Sequence, residues 1–166
     1  MTQEIEVVRA GPGDAIAASS IMREAAGWLV ERGETLWFPE ELSPEKLIPS
    51  IDAGELYLVK VKGLAVGTVI FQLSDRLYWP DMPEGDAAYM HKLTLRRSAA
   101  GKDIGRQVIA WAMDMARQAG MKYIRLDTEA ARKRLCAFYE SAGFIAHSER
   151  QVGRHYVVRY EMRVDR

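Results

Sequence analysis

The stretch that decides the fold reads YMHKLTL over residues 89–95 and RRSAAGKDIG over residues 96–105, and it continues with Arg106. The first part alternates like a β-strand, the middle contains two glycines, and residues 104–119 carry apolar side chains at helical spacing. A helix that follows a glycine-bearing turn presents unpaired backbone N–H groups and the positive end of its dipole. The stretch therefore predicts an anion site, most often one for phosphate.

The residues of this predicted anion site are contiguous: Gly101, Lys102, Asp103, Ile104, Gly105 and Arg106. The glycines let the backbone approach a ligand closely, and Lys102 and Arg106 add positive charge. An ordinary strand-to-helix turn with solvated basic side chains explains the same spacing. Spacing alone therefore leaves both interpretations open.

The composition restricts the class of protein. The chain has 166 residues, and 23 basic and 23 acidic side chains cancel, so that no global field attracts nucleic acid or an anionic membrane. Cys136 is the only cysteine, which excludes an internal disulfide and a thiolate zinc cluster. No apolar run approaches membrane-spanning length, and residues 1–8 carry acids rather than the basic start and apolar core of a signal peptide. We expect a cytoplasmic protein without nucleic-acid or membrane partners.

Helical and strand-like patterns alternate on both sides of the central stretch and predict one α/β domain over residues 1–166. The predicted strands are 4–9, 56–61, 64–73, 88–96, 122–127, 144–148 and 156–164; the predicted helices are 15–33, 44–52, 104–120 and 131–142. Lys62-Gly63 is a strong hairpin signal. Gly67, inside the following strand, indicates a bulge or a close backbone approach.

Several polar and aromatic residues are candidates for chemistry, each with a structural alternative. His91 and Tyr139 lie on core-facing patterns, where such residues usually have satisfied hydrogen bonds. Trp28, Trp37 and Trp79 either cover the core or line a cleft for a substrate. No second His, Cys or carboxylate stands at ligand spacing from His91, so we expect no metal.

Two segments together resemble the GCN5-related N-acetyltransferase (GNAT) family. Residues 90–106 resemble the acetyl-CoA segment of that family, and LCAFYESAGF over residues 135–144 resembles its Y-E-x-x-G-F helix. The resemblance extends over nearly the whole order of elements. It implies the GNAT fold, an α/β (α+β) arrangement in which about four helices flank a mixed sheet of six to seven strands.

The resemblance also implies the donor and its binding residues. The family turn reads Gln/Arg-x-x-Gly-x-Gly/Ala; here Gly105 matches, whereas Ala100 and Asp103 depart from it. Asp tolerates the left-handed backbone that the turn requires. Arg132 stands where relatives carry an Asn that holds CoA. Acetyl-CoA is therefore the implied co-substrate, bound by the turn, by the backbone of the central strand at Leu93, Thr94 and Leu95, and by Arg132.

The implied reaction is direct attack of a neutral amine on the acetyl thioester in a ternary complex. Tyr139 would protonate the leaving thiolate, and His91 is the first candidate for the base that deprotonates the amine. Glu34 and Asp127 are weaker base candidates. The implied acceptor is a small-molecule or peptide amine next to Trp28, Trp37 and Trp79, and the family also suggests a homodimer. The competing interpretation is a CoA-binding module without catalysis, in which Asp103 and Arg132 mark a degenerate site.

Overall fold

Seven strands form one mixed sheet in the order β1-β2-β3-β4-β5-β7-β6. The structure is a computed structural model and describes residues 3–33 and 37–165. The strands are β1 Glu6–Arg9, β2 Leu56–Val61, β3 Leu64–Gln72, β4 Ala87–Leu95, β5 Tyr123–Glu129, β6 Ile145–Val152 and β7 His155–Arg163. The α-helices in the described ranges are α1 Ala15–Glu31, α2 Pro44–Asp52, α3 Ile104–Gln118 and α4 Lys133–Ser141. The expected mixed sheet with four helices is confirmed.

The contacts within the chain divide it into two units. The first unit comprises Met1–Ile70 and Lys92–Val108, and the second comprises Phe71–His91 and Ile109–Arg166. The boundaries fall inside β3, β4 and α3. Each unit is described by itself below.

The core of the first unit lies between its two helices and its antiparallel strands. β1 pairs with β2, and β2 pairs with β3 through the hairpin at Lys62-Gly63, whose φ angles are 50° and 81°. Both angles are left-handed, as a two-residue hairpin turn requires. The buried side chains of this core include Met22, Leu42 and Leu58, and their burial holds α1 and α2 on the sheet.

Gly67 of β3 lies against the C-terminal half of β4. A Cβ atom built on Gly67 would lie 2.6 Å from Leu95 Cδ2 and 2.7 Å from the Thr94 carbonyl oxygen. Opposite it, the β2–β3 register shifts between Val59 and Lys60. Both a bulge and a close backbone approach are therefore present at this glycine, which the sequence predicted.

The second unit is built on β5, β7, β6 and the N-terminal half of β4. β4 and β5 run parallel from Ala87–Tyr89 against Tyr123–Arg125, whereas β7 is antiparallel to both β5 and β6. β6 extends to Val152, beyond the predicted end at residue 148. Most of its side chains are exposed at the edge of the sheet, so that its polar residues gave little hydrophobic signal.

No helix among the described residues combines the length and the apolar character that crossing a membrane demands.

Gly67→Ala tests the close approach of β3 to β4. The added methyl group meets a backbone carbonyl oxygen, so we expect the free energy of unfolding to fall by about 1–3 kcal/mol. Gly27→Ala in α1 is the matched control because a Cβ there meets nothing within 4 Å, and alanine favours a helix. Urea denaturation of both variants measures the effect; equal or higher stability of Gly67→Ala would show that this site tolerates a side chain.

Candidate active site

The turn before α3 has the backbone geometry of an anion site. Gly101 and Asp103 have φ angles of 74° and 62°, both in the left-handed region. The Asp103 carbonyl oxygen accepts the first helical hydrogen bond from Gln107 N–H at 3.3 Å. The N–H groups of Ile104 and Gly105 therefore lie in the first turn of α3, where a helix offers them no carbonyl partner.

The Asp103 carboxylate is partly compensated by its own helix. Its Oδ1 atom lies 3.8 Å from Arg106 Nε, and both side chains are about half exposed. At that distance and exposure the attraction is weak, since water screens it. Asp103 thus fits the turn conformationally, and its charge is only modestly offset.

The central strand β4 contains a left-handed residue, Lys92, with a φ of 49°. The Lys92 carbonyl oxygen accepts hydrogen bonds from Thr68 Oγ1 at 3.2 Å and from Thr94 Oγ1 at 3.1 Å. Both threonines are buried. Two buried hydroxyls thereby hold Lys92 in a backbone conformation that lysine rarely adopts. Lys92 directly precedes Leu93 and Leu95, which are predicted to bind acetyl-CoA.

Two of the three predicted substrate tryptophans belong to the first unit, and both face cations. The Trp28 ring lies 4.7 Å from the Arg32 guanidinium and 3.8 Å from that of Arg97. The Trp37 ring lies 5.9 Å from Lys92 Nζ. Burial lowers the pKa of Lys92. Both rings are half-buried, and each makes cation–π contacts with basic groups of this chain.

Trp79, the third predicted substrate residue, is a core residue of the second unit. It is only 2% exposed, and the guanidinium groups of Arg125 and Arg159 lie 5.1 and 4.6 Å from the centroid of its ring. Both arginines are themselves buried and paired, with Glu161 and Asp81 respectively. A ring enclosed in this way does not line an open cleft, so we do not retain Trp79 among the substrate-binding residues.

Three side chains of the second unit form a group that we call the His91 cluster: Asp75, His91 and Asp127. Asp75 Oδ2 lies 2.9 Å from His91 Nε2, and Asp127 Oδ2 lies 3.6 Å from His91 Nδ1. The cluster therefore places one carboxylate at each nitrogen of a single imidazole. His91 and Asp127 were the sequence candidates for the base, and they lie together; Glu34 is outside the described residues.

Asp75 was missed by sequence reasoning. It lies in the loop after β3, where a single aspartate carries no periodic signal. Its Oδ1 atom accepts hydrogen bonds from the backbone N–H groups of Leu77 and Tyr78, at 3.2 and 3.0 Å. These bonds orient the carboxylate toward His91.

The two carboxyl groups of the cluster have opposite pKa shifts. Burial alone would raise the pKa of Asp75, but the His91 ring and the backbone N–H groups of Tyr78 and Leu77 outweigh it and lower that pKa. Burial raises the pKa of Asp127 to about 6; His91 opposes this rise, and Asp75 adds to it. One carboxylate is thus stably ionised, and the other exchanges its proton near neutral pH.

The His91 cluster also contains residue types that bind metal ions, with candidate ligand atoms within 4.8 Å of one another. No spacing in the sequence indicates such a group around His91. The two nitrogens of an imidazole point away from each other, and each faces a different carboxylate here. We therefore interpret the cluster as a group that shares protons, and the expected absence of a metal stays a prediction.

Tyr139 lies on α4 within an aromatic group of the second unit. Its ring packs edge-on against Phe144 at 5.8 Å and lies 6.3 Å from Tyr160. Burial raises the pKa of Tyr139, the charge of Arg132 at the N-cap of α4 lowers it, and Asp127 raises it further. The phenol therefore keeps its proton at neutral pH, as a proton donor must.

Comparison with known proteins identifies the family context. Residues 18–144 match the sequence model of the Acetyltransferase (GNAT) family. The uncharacterized N-acetyltransferase YesJ of Bacillus subtilis is 28% identical over 138 residues, and the match covers 79% of this chain and 76% of YesJ.

Solved structures share the fold. A GNAT-family acetyltransferase from Listeria monocytogenes superimposes with a TM-score of 0.80 at 23% identity, over 98% of both chains. The PaiA N-acetyltransferase of Thermoplasma acidophilum, solved in complex with coenzyme A, has a TM-score of 0.75 at 18% identity, over 96% of this chain and 99% of its own.

Asp127→Asn tests the buried charge of the cluster. The pKa of this carboxyl is about 6 in the folded protein, whereas its ordinary value is 3.8. Ionisation of Asp127 therefore lowers the free energy of unfolding of the wild type as the pH rises from 3.8 to about 6, and the loss is complete above pH 6. When the pH is raised from 4 to 8, we expect the free energy of unfolding of Asp127→Asn to increase by about 1–3 kcal/mol relative to that of the wild type. Urea denaturation at the two pH values measures this difference.

Asp52→Asn, at an exposed position of α2, is the control for this experiment. We expect its effect on the free energy of unfolding to be similar at the two pH values. If both variants responded to pH alike, burial of Asp127 would not be the cause.

Proposed function

Because this chain belongs to the Acetyltransferase (GNAT) family, we propose that it transfers an acetyl group from acetyl-CoA to a primary amine of a small molecule or peptide. The observation that carries the proposal is the turn before α3, where Asp103 adopts the left-handed backbone, with a φ of 62°, in place of the family's glycine. The turn thus keeps its N–H groups at the start of a helix, where they suit a pyrophosphate. The PaiA relative was solved with coenzyme A, which supports the same donor here.

The donor-binding residues follow from this assignment. The turn, comprising Gly101, Lys102, Asp103, Ile104, Gly105 and Arg106, binds the pyrophosphate. The backbone of Leu93, Thr94 and Leu95 binds pantetheine and polarises the acetyl carbonyl, which stabilises the developing oxyanion. The left-handed Lys92 supports this role, because it sets the direction of the backbone immediately before these residues. Arg132 supplies a further positive charge for a CoA phosphate.

The chemistry requires a base and an acid. His91, with Asp127 beside it, accepts a proton from the ammonium, and the neutral nitrogen then attacks the acetyl carbon. The new C–N bond forms, the C–S bond breaks, and Tyr139 donates a proton to the leaving sulfur. After the C–N bond has formed, the nitrogen loses a second proton, and this proton returns to the Tyr139 oxygen. Each turnover thus yields the acetamide, free CoA thiol and one proton for solvent.

Tyr139→Phe tests the acid role. The protein is incubated with acetyl-CoA and a panel of amines, and release of free thiol is followed. Phenylalanine keeps the ring packed on Phe144 but has no proton to donate, so we expect kcat to fall by about 100-fold while the Kd for acetyl-CoA in calorimetry is unchanged.

Tyr156→Phe, on the exposed part of β7, is the matched control and should leave kcat unaltered. Unchanged turnover in Tyr139→Phe would remove Tyr139 from the acid role. If the wild type bound acetyl-CoA but released no thiol with any amine, the chain would be a CoA-binding module; absence of binding would contradict both functions.

Asp103→Gly tests the cost of a carboxylate next to the pyrophosphate. Glycine adopts the same φ of 62° and removes the charge, so we expect acetyl-CoA to bind about threefold more tightly at low salt, and the gain to shrink at high salt. Asp103→Asn removes only the charge. It should increase the affinity for acetyl-CoA to the same extent if repulsion by the carboxylate weakens binding. Tighter binding by Asp103→Gly alone would assign the effect to the backbone, and tightening in neither would contradict the prediction.

A further inference from the structure

One face of α1 holds the segment that joins β4 to the turn before α3. Ser20, Glu24 and Trp28 follow one another at four-residue spacing, which places their side chains on the same face of a helix. The joining segment begins with Arg96 and Arg97, and each of the three side chains of α1 contacts at least one of these arginines. All five residues belong to the first unit.

Glu24 is the centre of this contact because it uses both of its carboxylate oxygens. Its Oε1 atom accepts a hydrogen bond from Arg96 Nη1 at 3.1 Å, and its Oε2 atom accepts one from the backbone N–H of Arg97 at 2.9 Å. The ion pair with Arg96 is partly exposed, and water screens such a pair. The hydrogen bond from Arg97 is charge-assisted and fixes the main chain itself, so it is the stronger constraint.

Arg97 connects Glu24 to the turn. Its guanidinium carbon lies 3.8 Å from the centroid of the Trp28 ring, and its carbonyl oxygen accepts a hydrogen bond from Ala100 N–H at 3.2 Å. Ala100 directly precedes Gly101, the first of the residues that we propose bind the pyrophosphate. The N–H group, the carbonyl group and the side chain of Arg97 are thus all engaged at the entrance to the turn.

The turn benefits from such an anchor because its conformation is uncommon. Gly101 and Asp103 both have left-handed backbone, and the turn binds an anion only if its N–H groups converge. A turn that also populated other conformations would have to be ordered when the ligand binds. The apparent affinity would then fall in proportion to the fraction of molecules in the competent conformation.

We infer that Glu24 is a positioning residue for donor binding: by holding the backbone N–H of Arg97, it keeps the turn before α3 in the conformation that binds acetyl-CoA. This inference rests on the proposed function and assigns a role in it to a residue of α1. The sign of the effect distinguishes positioning from simple electrostatics. Removal of an acid near a pyrophosphate relieves repulsion and strengthens binding, whereas loss of a positioning residue weakens it.

Two substitutions of Glu24 test the inference. Glu24→Ala removes both hydrogen bonds, whereas Glu24→Gln keeps an oxygen that can accept from Arg97 N–H and loses the ion pair with Arg96. We expect the Kd for acetyl-CoA in calorimetry to rise about tenfold in Glu24→Ala and at most about threefold in Glu24→Gln. Glu31→Ala, at the exposed end of α1, is the matched control and should bind acetyl-CoA like the wild type.

Two outcomes of the calorimetry would overturn the inference. Unchanged or tighter binding in Glu24→Ala would show that the turn does not need the anchor. An equal loss of affinity in Glu24→Ala and Glu24→Gln would show that the hydrogen bond from Arg97 is not its cause.

Steady-state kinetics separate positioning from a general loss of structure. In the thiol-release assay, weaker donor binding raises the KM for acetyl-CoA about tenfold in Glu24→Ala, and saturating acetyl-CoA restores the rate. A residue that only stabilised the fold would change the active fraction of the protein instead. Its removal would lower the apparent kcat and leave KM unaltered, and that result would overturn the inference.

Amide hydrogen exchange separates failure of this inference from failure of the proposed function. In the free protein, the amides of Ala99 and Ala100 should exchange about threefold faster or more in Glu24→Ala, and at the wild-type rate in Glu31→Ala. If the wild type bound no acetyl-CoA, the proposed function would fail, and this comparison would still show whether Glu24 holds the turn. Unchanged exchange in Glu24→Ala would overturn the inference in either case.

Discussion

The left-handed backbone of Lys92 in the middle of β4 is the constraint on which the proposed donor site depends. A lysine adopts this conformation only if its surroundings hold it there, and the hydroxyls of Thr68 and Thr94 do so by donating to its carbonyl oxygen. Gly67 allows the approach, since any side chain on it would collide with Thr94 and Leu95. A strained residue in a central strand is unfavourable for folding, and this one directly precedes the backbone that we propose binds the acetyl group.

Buried charged side chains are a feature of the second unit. Arg125 and Arg159 are buried and paired with acids, and they enclose Trp79, so that their charges are balanced. The His91 cluster is different, because its carboxylates exceed its cations. Balanced buried pairs contribute to the core, whereas an excess of one sign creates affinity for a ligand of the other sign or for a proton. Burial raises the pKa of Asp127, His91 opposes this rise, and the charge of Asp75 adds to it.

The two units illustrate which kinds of residue a sequence reveals. The hairpin at Lys62-Gly63 and the close approach at Gly67 were predictable, because each depends on the backbone freedom of glycine at a definite position. The extent of β6 was underestimated because an edge strand buries little surface. Trp79 was misjudged as a cleft residue, since an aromatic side chain in an irregular loop looks the same in sequence whether it faces solvent or two buried arginines.

The sequence by itself determined the family and the order of elements, and it made the turn before α3, Tyr139 and His91 candidates for the site. These depend on local pattern and spacing, which a chain carries without being folded. Only the tertiary structure decided that Asp75, His91 and Asp127 form one cluster, because they come from a loop, β4 and β5 and no local pattern links them. It also decided the state of each carboxyl group, since burial and neighbouring charge set a pKa and both arise only when distant segments meet.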